Sequence, residues 1–300
     1  MNKIMFLLTL VFSNICFAQY QSSYRNIAYD VQPGVNSRYL SLDIYRQTNG
    51  ENLPVIFFVH GGGWSSGDKA TSSHDNKRNF FINNGFIFVS VNYRLTPDVM
   101  YPQHSLDVAK AFTFILENIN SYGGDKKQTF VMGHSAGAHL VALLSSDKSF
   151  LNNLGYGLEN IQGVILLDGA GYNIPWIIND NIINNNQTAL NIYYSAFGFD
   201  PLIWELASPV THVNAIDTTP LFQIFHVDTR RISTIVSNQL FDVLNNNNQI
   251  AEIIPVANSS HQMINKNFGL ENDVVSQQAL AFIQAIREEL SERVFSNNFE

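Results

Sequence analysis

A serine stands between two glycines at the spacing G-x-S-x-G in Gly133-His134-Ser135-Ala136-Gly137. The apolar run Phe130-Val131-Met132 before it has strand character, and Ala138, Val141, Ala142 and Leu144 after it recur at helical spacing. A serine on so sharp a strand-to-helix turn is held in a strained conformation with its hydroxyl presented outward. Glycine is required on both sides because a Cβ there would meet neighbouring backbone. The helix that begins after the serine aims free N–H groups and its positive end at the place where an oxyanion would form. The chemistry implied is attack on a carbonyl carbon, with Ser135 as nucleophile and the Ala136 N–H as one donor to the developing negative oxygen.

A second stretch offers further donors. Leu53 to Val59 is a near-continuous apolar run, the pattern of a strand buried on both faces of a parallel sheet. It ends in His60-Gly61-Gly62-Gly63-Trp64, where glycines let a substrate oxygen approach the N–H groups of Gly62 and Gly63 closely. His60 is expected to position this loop, and Trp64 to wall the substrate pocket. An activated serine also needs a base, and a group to orient that base. Of the eight histidines, His261 is the candidate. It lies in the polar segment Asn258-Ser259-Ser260-His261, after the last strand-like run and before the final helix, which fits the chain order serine, acid, histidine. His226, beside Asp228, is the rival.

The elements that must hold these groups can be read from periodicity. Residues 24–47 suggest two strands around Pro33-Gly34-Val35-Asn36. Further strands are expected at Phe86–Tyr93, Ile161–Leu167, Leu221–Phe225 and Ile250–Val256. Ser105 is read as the cap of a helix whose apolar face is Leu106, Ala109, Phe112, Ile115 and Leu116. Between Tyr172 and Pro209 aromatics are scattered among asparagines, which suggests a cap over residues 172–209 lying on the active-site edge of the sheet. The closing helix spans Val274–Leu290. The sum is an α/β chain with a mostly parallel sheet of about eight strands, helices on both faces and a small cap.

Residues 1–18 are expected to be a cleaved secretory signal: Lys3 is their only charge, Ile4–Phe12 are mostly apolar, and Cys16-Phe17-Ala18 places small residues where a signal peptidase reads. The apolar run is about half of the ~20 residues a spanning helix needs. Residues 19–300 then form one catalytic domain, and because Cys16 is the only cysteine, no intramolecular disulfide is available to it. The formal charge of −8, one unit more acidic without Lys3, argues against nucleic acid or an anionic membrane as the main partner. No metal-ligand cluster or phosphate-cradling glycine loop is apparent, so neither metal nor cofactor is expected. No basic cluster near the motifs would hold a carboxylate or phosphate, which points to a small, uncharged or weakly polar substrate.

The chain resembles the α/β-hydrolases. More narrowly, it is similar to the carboxylesterases that combine HGGGW with GHSAG, the hormone-sensitive-lipase-like and kynurenine-formamidase-like groups. The resemblance covers most of residues 40–290. It includes YRL at 93–95, YGGD at 122–125, GHSAGAHL at 133–140, DGAGY at 168–172, SPVTH at 208–212 and SSHQMIN at 259–265. It implies a serine esterase acting through an acyl-enzyme. Substrates in these groups include short-chain esters, acetyl or feruloyl groups of plant polysaccharides, and N-formylkynurenine. The last is disfavoured by the export signal, and an inactive hydrolase scaffold used for binding is the alternative outside enzymology. The resemblance also implies where the acid lies, since this fold usually carries it after the strand before the last. There the family's His-Val-Ala-Asp-Arg pattern is matched by His226-Val227-Asp228-Thr229-Arg230. An ungapped match puts Thr229 on the acid position, so Asp228 is the expected acid only with a one-residue shift. Asp168, at the end of the preceding strand, is the rival.

Overall fold

Successive side chains of a strand face opposite ways, so a run such as Leu53–Val59 that is apolar at every position needs a hydrophobic layer on each side. The computed structural model, which describes residues 21–217 and 219–297, supplies both layers. Its strands are β1 (Gln21–Ala28), β2 (Ser41–Gln47), β3 (Leu53–Val59), β4 (Ile87–Val91), β5 (Gly124–His134), β6 (Gly163–Leu167), β7 (Leu221–Val227) and β8 (Ala251–Val256). They form one eight-stranded sheet in the order β1-β2-β4-β3-β5-β6-β7-β8. The pairs β1–β2 and β2–β4 are antiparallel and all others parallel. The expected α/β-hydrolase sheet is borne out. The secretory-signal reading of residues 1–18 lies outside the described residues.

The helices are α1 (Asp75–Asn83), α2 (Gln103–Asn118), α3 (Ala136–Ser146), α4 (Ser149–Asn152), α5 (Ile174–Ile183), α6 (Gln187–Phe197), α7 (Pro201–Leu206), α8 (Arg231–Asn246), α9 (Met263–Lys266) and α10 (Val274–Asn297). Val55, Phe57 and Val59 join the layer containing α2, α3 and α8. Ile56 and Phe58 point into the opposite layer, with Phe81 and Ile82 of α1 and Ala279 and Ile283 of α10. The Ser105 cap is corrected: α2 begins three residues earlier than that cap implies, at Gln103 behind Pro102, and Ser105 is buried inside the first turn with no partner for its hydroxyl. The mainly parallel arrangement brings the carboxyl ends of β3, β5, β6, β7 and β8 to one edge, where loops can converge on a single site.

Candidate active site

Ser135 stands at the junction of β5 and α3 with φ 55° and ψ −119°, a conformation that costs a non-glycine residue strain. Its backbone N–H donates to Leu167 O of β6 at 3.0 Å, which fixes the turn against the neighbouring strand. The glycine requirement is steric. A Cβ on Gly133 would lie 2.3 Å from the Gly137 carbonyl oxygen, and one on Gly137 would lie 2.1 Å from that of Val59.

The loop after β8 places His261 opposite the serine. Ser135 Oγ lies 2.9 Å from His261 Nε2, and His261 Nδ1 lies 2.7 Å from Asp168 Oδ2. His261 is thus the histidine that faces the Ser135 hydroxyl. The rival His226 is directed elsewhere, with its Nδ1 3.1 Å from Thr234 Oγ1.

The carboxylate on His261 belongs to Asp168, not to the expected Asp228. Asp168 follows β6, and its buried side chain collects four donors. Val227 N–H (3.0 Å) and the Ser233 hydroxyl meet Oδ1, while His261 Nδ1–H and Arg230 Nη1 meet Oδ2. Burial by itself would push this carboxyl up. The hydrogen bond from His261, the Arg230 charge and the other donors outweigh burial and hold it well below the usual carboxylate range. Asp228 sits one residue beyond the end of β7, exposed, and its backbone N–H continues the ladder to Val256 O at 3.3 Å. The strand end that was expected to supply the acid supplies Arg230 instead.

Gly62, Gly63 and Ala136 line the cleft in front of Ser135. Among the described residues, no hydrogen bond takes the N–H of any of the three. The loop that carries the glycines is held from behind. His60 is buried and stacked on Tyr93 at 4.6 Å, and the Tyr93 hydroxyl donates to His60 O at 3.1 Å. Burial lowers the His60 pKa, so the ring stays neutral in its slot. Trp64 lines the cleft as expected but is itself buried, ringed by His139, Tyr193 and Phe197. Its Nε1–H donates to His139 Nδ1 at 3.1 Å, so His139 carries its proton on Nε2 and donates it to Ala207 O at 2.7 Å. That chain ties the glycine loop to α3 and to the segment after α7.

The cleft measures about 850 Å³. Its apolar lining includes Ile177, Ala189, Ile192 and Tyr193 from α5 and α6, and Ile232 from α8. Its polar lining includes Arg38, Thr71, Ser73, Asn181, Asn186, Gln262 and Asn265. Two arginines line the cleft, and each is paired with a carboxylate: Arg38 with Asp68 at 2.8 Å, and Arg230 with Asp168. Among the described residues no group of three or more His, Cys, Asp or Glu side chains could hold a metal ion, and no helix is long and apolar enough to cross a membrane.

The model of the BD-FAE family matches residues 42–244, which hold Gly62, Gly63, Ser135, Asp168 and Arg230. The chain belongs to the BD-FAE family. Its relatives include the esterase LipQ of Mycobacterium tuberculosis, 29% identical over 66% of this chain and 47% of that protein. Another is the isoprenylcysteine alpha-carbonyl methylesterase ICME of Arabidopsis thaliana, 32% identical over 50% of this chain and 34% of that protein. The chain spans about half the length of the mycobacterial relatives it matches. Among solved structures, esterase B of Lactobacillus rhamnosis superposes with TM-score 0.75 over 91% of this chain and 89% of that one, at 17% identity. A carbohydrate esterase from gut microbiota superposes with TM-score 0.71 over 89% of this chain and 97% of that one, at 19% identity. At those identities the superpositions speak to the fold.

Within this BD-FAE chain, sequence reasoning found the serine, the glycine loop and His261, and missed the groups that brace them. His134, the residue between Gly133 and Ser135, donates from Nε2 to His261 O at 2.8 Å. Burial first and the neighbouring His261 second lower its pKa to about 3, so it is a neutral brace rather than a second base. Lys77 of α1 is fully buried beneath the cleft, 4.7 Å from the Phe58 ring. It donates to the backbone and side-chain oxygens of Asn265 at 3.0 and 2.8 Å, anchoring α9 just after His261, and burial lowers its pKa to about 7. The only sequence signal for Lys77 was a cation within an otherwise apolar packing face.

Proposed function

We propose that the chain is a serine carboxylesterase that cleaves small carboxylic esters through an acyl-enzyme on Ser135. One observation carries the reading: the relay from Ser135 Oγ through His261 to the buried Asp168, at 2.9 and 2.7 Å, opens onto a cleft beside uncommitted backbone donors. Kinship with proteins named esterase supports it. Ser135 Oγ attacks the ester carbonyl carbon while His261 Nε2 takes the hydroxyl proton. The carbonyl oxygen becomes an oxyanion and accepts hydrogen bonds from Gly62, Gly63 and Ala136. Collapse breaks the bond to the alcohol oxygen, which receives the proton from His261. Water then repeats the sequence on the acyl-enzyme and releases the acid. Asp168 keeps His261 protonated on Nδ1 and offsets the imidazolium charge that forms in each step, without itself taking the proton.

In this reading α5–α7 form the cap over residues 172–209, since α5 and α6 put side chains over the cleft. The apolar lining suits a short acyl chain. The polar lining favours a second, narrower reading in which the alcohol is polyhydroxylated, as in acetylated or feruloylated sugars. We further propose that the chain is exported, on the strength of residues 1–18; mass spectrometry of the protein from its native host should find the mature N-terminus at Gln19. A panel of p-nitrophenyl esters from two to sixteen carbons, run with acetylated and feruloylated sugars, tests the substrate class. Short acyl chains should be cleaved fastest. A preference for acyl chains of twelve carbons or more would contradict a cleft of this size, and hydrolysis of no ester at all would favour the binding-module alternative.

A further inference from the structure

We propose that Arg230 is a positioning residue for the reaction, acting through Asp168 to hold the carboxylate oxygen that His261 needs. The inference rests on the reading of Ser135, His261 and Asp168 as the catalytic set.

Arg230 stands between β7 and α8, where a turn hydrogen bond from its N–H to Val227 O at 3.0 Å fixes its backbone. From there Nη1 reaches across to Asp168 Oδ2, the same oxygen that accepts from His261 Nδ1, and lies 2.8 Å from that nitrogen. Two N–H groups thus converge on one oxygen from adjacent directions. The other oxygen is filled by Val227 N–H and Ser233. A carboxylate free to rotate can offer His261 either oxygen or neither. With donors on both sides its plane is set, and Oδ2 is aimed at Nδ1 before substrate arrives.

Charge separates this role from direct stabilisation of the reaction. At rest the cluster holds one anion, Asp168, and one permanent cation, Arg230. When His261 gains the serine proton the cluster carries a second cation, and Arg230 repels it across 2.8 Å. The guanidinium therefore cannot help by stabilising the imidazolium. What it supplies is the counter-charge that lets a fully buried Asp168 stay ionised, and the geometry of the shared oxygen. Arg230 is partly open to the cleft, with a third of its side chain exposed, so direct contact with substrate is the competing role.

A double-mutant cycle separates the roles, using Arg230→Met, Asp168→Asn and the pair, with circular dichroism on each variant and a short p-nitrophenyl ester as substrate. Arg230→Met should lower kcat roughly ten- to a hundredfold, the scale of a hydrogen bond to a charged group, with KM unchanged. In the Asp168→Asn background the same change should cost nothing further, because Arg230 acts only through the carboxylate. Arg230→Lys should recover part of the loss, and it serves in place of Arg230→Met if the latter does not fold. A raised KM with kcat preserved would make Arg230 a substrate contact and overturn the proposal. An equal loss in both backgrounds, or kcat near wild type in Arg230→Met, would overturn it too. If Asp168→Asn were itself fully active, the catalytic set would fall and the inference with it.

Discussion

The ends of β6 and β7 lie side by side at the same edge of the sheet, and each is followed by an aspartate. Asp168 is buried and collects four donors; Asp228, one residue past the end of β7, is exposed. The contrast shows that a carboxylate becomes useful to a histidine through what surrounds it rather than through being at a strand end. An exposed carboxylate is hydrated and free to rotate. A buried one is costly to ionise, and once its donors are in place its charge acts across a low dielectric at a fixed distance. The donors to Asp168 come largely from the other strand: Val227 is the last residue of β7, Arg230 follows it, and Ser233 lies in the first turn of α8. The β7 end contributes the socket and β6 the acid.

The comparison can be broken most severely at the point both aspartates were meant to serve. Ser135→Ala or His261→Ala should lower kcat about a millionfold while the fold persists by circular dichroism, the scale seen when one member of such a set is removed. A fluorophosphonate should label wild type at Ser135; labelling at another serine in Ser135→Ala would move the nucleophile. A finer break is Ser233→Ala, which removes one donor from Asp168 Oδ1 and leaves Asp228 untouched. It should cost roughly tenfold in kcat and about 1–3 kcal/mol of stability, read by urea unfolding. A variant equal to wild type in both would mean that Ser233 merely neighbours the carboxylate.

Acid unfolding sharpens the same contrast. The folded-state pKa of Asp168 lies below its unfolded value, so its contribution to stability is complete above about pH 4 and is lost as pH falls through the folded value. Unfolding free energies from pH 6 down to pH 2 should show wild type losing an increment that Asp168→Asn lacks. Identical slopes in the two proteins would contradict the donor set drawn around Asp168.

Much of this was legible along the chain. The serine turn, the glycine loop and the alternating core of β3 are local patterns, and His261 followed from chain order. The acid was not, because Asp168 and Asp228 have equivalent sequence settings and differ only in what folds around them. Arg230 was passed over for a related reason: it closes the 226–230 segment, but its partners lie 62 and 31 residues away and only the fold brings them to it. Ser105 was read as a cap because it precedes an apolar periodic run. The helix starts earlier, however, and leaves its hydroxyl buried without a partner.

The account turns on which aspartate completes the relay, and one measurement addresses it: kcat of Asp168→Asn and Asp228→Asn on the same short-chain ester at the same pH. Asp168→Asn should fall by about ten-thousandfold, the loss expected when the histidine is left without its orienting carboxylate, and Asp228→Asn should stay within a factor of about two of wild type, as surface changes usually do. The opposite pattern, with Asp228→Asn inactive and Asp168→Asn near wild type, would contradict the site described at the end of β6.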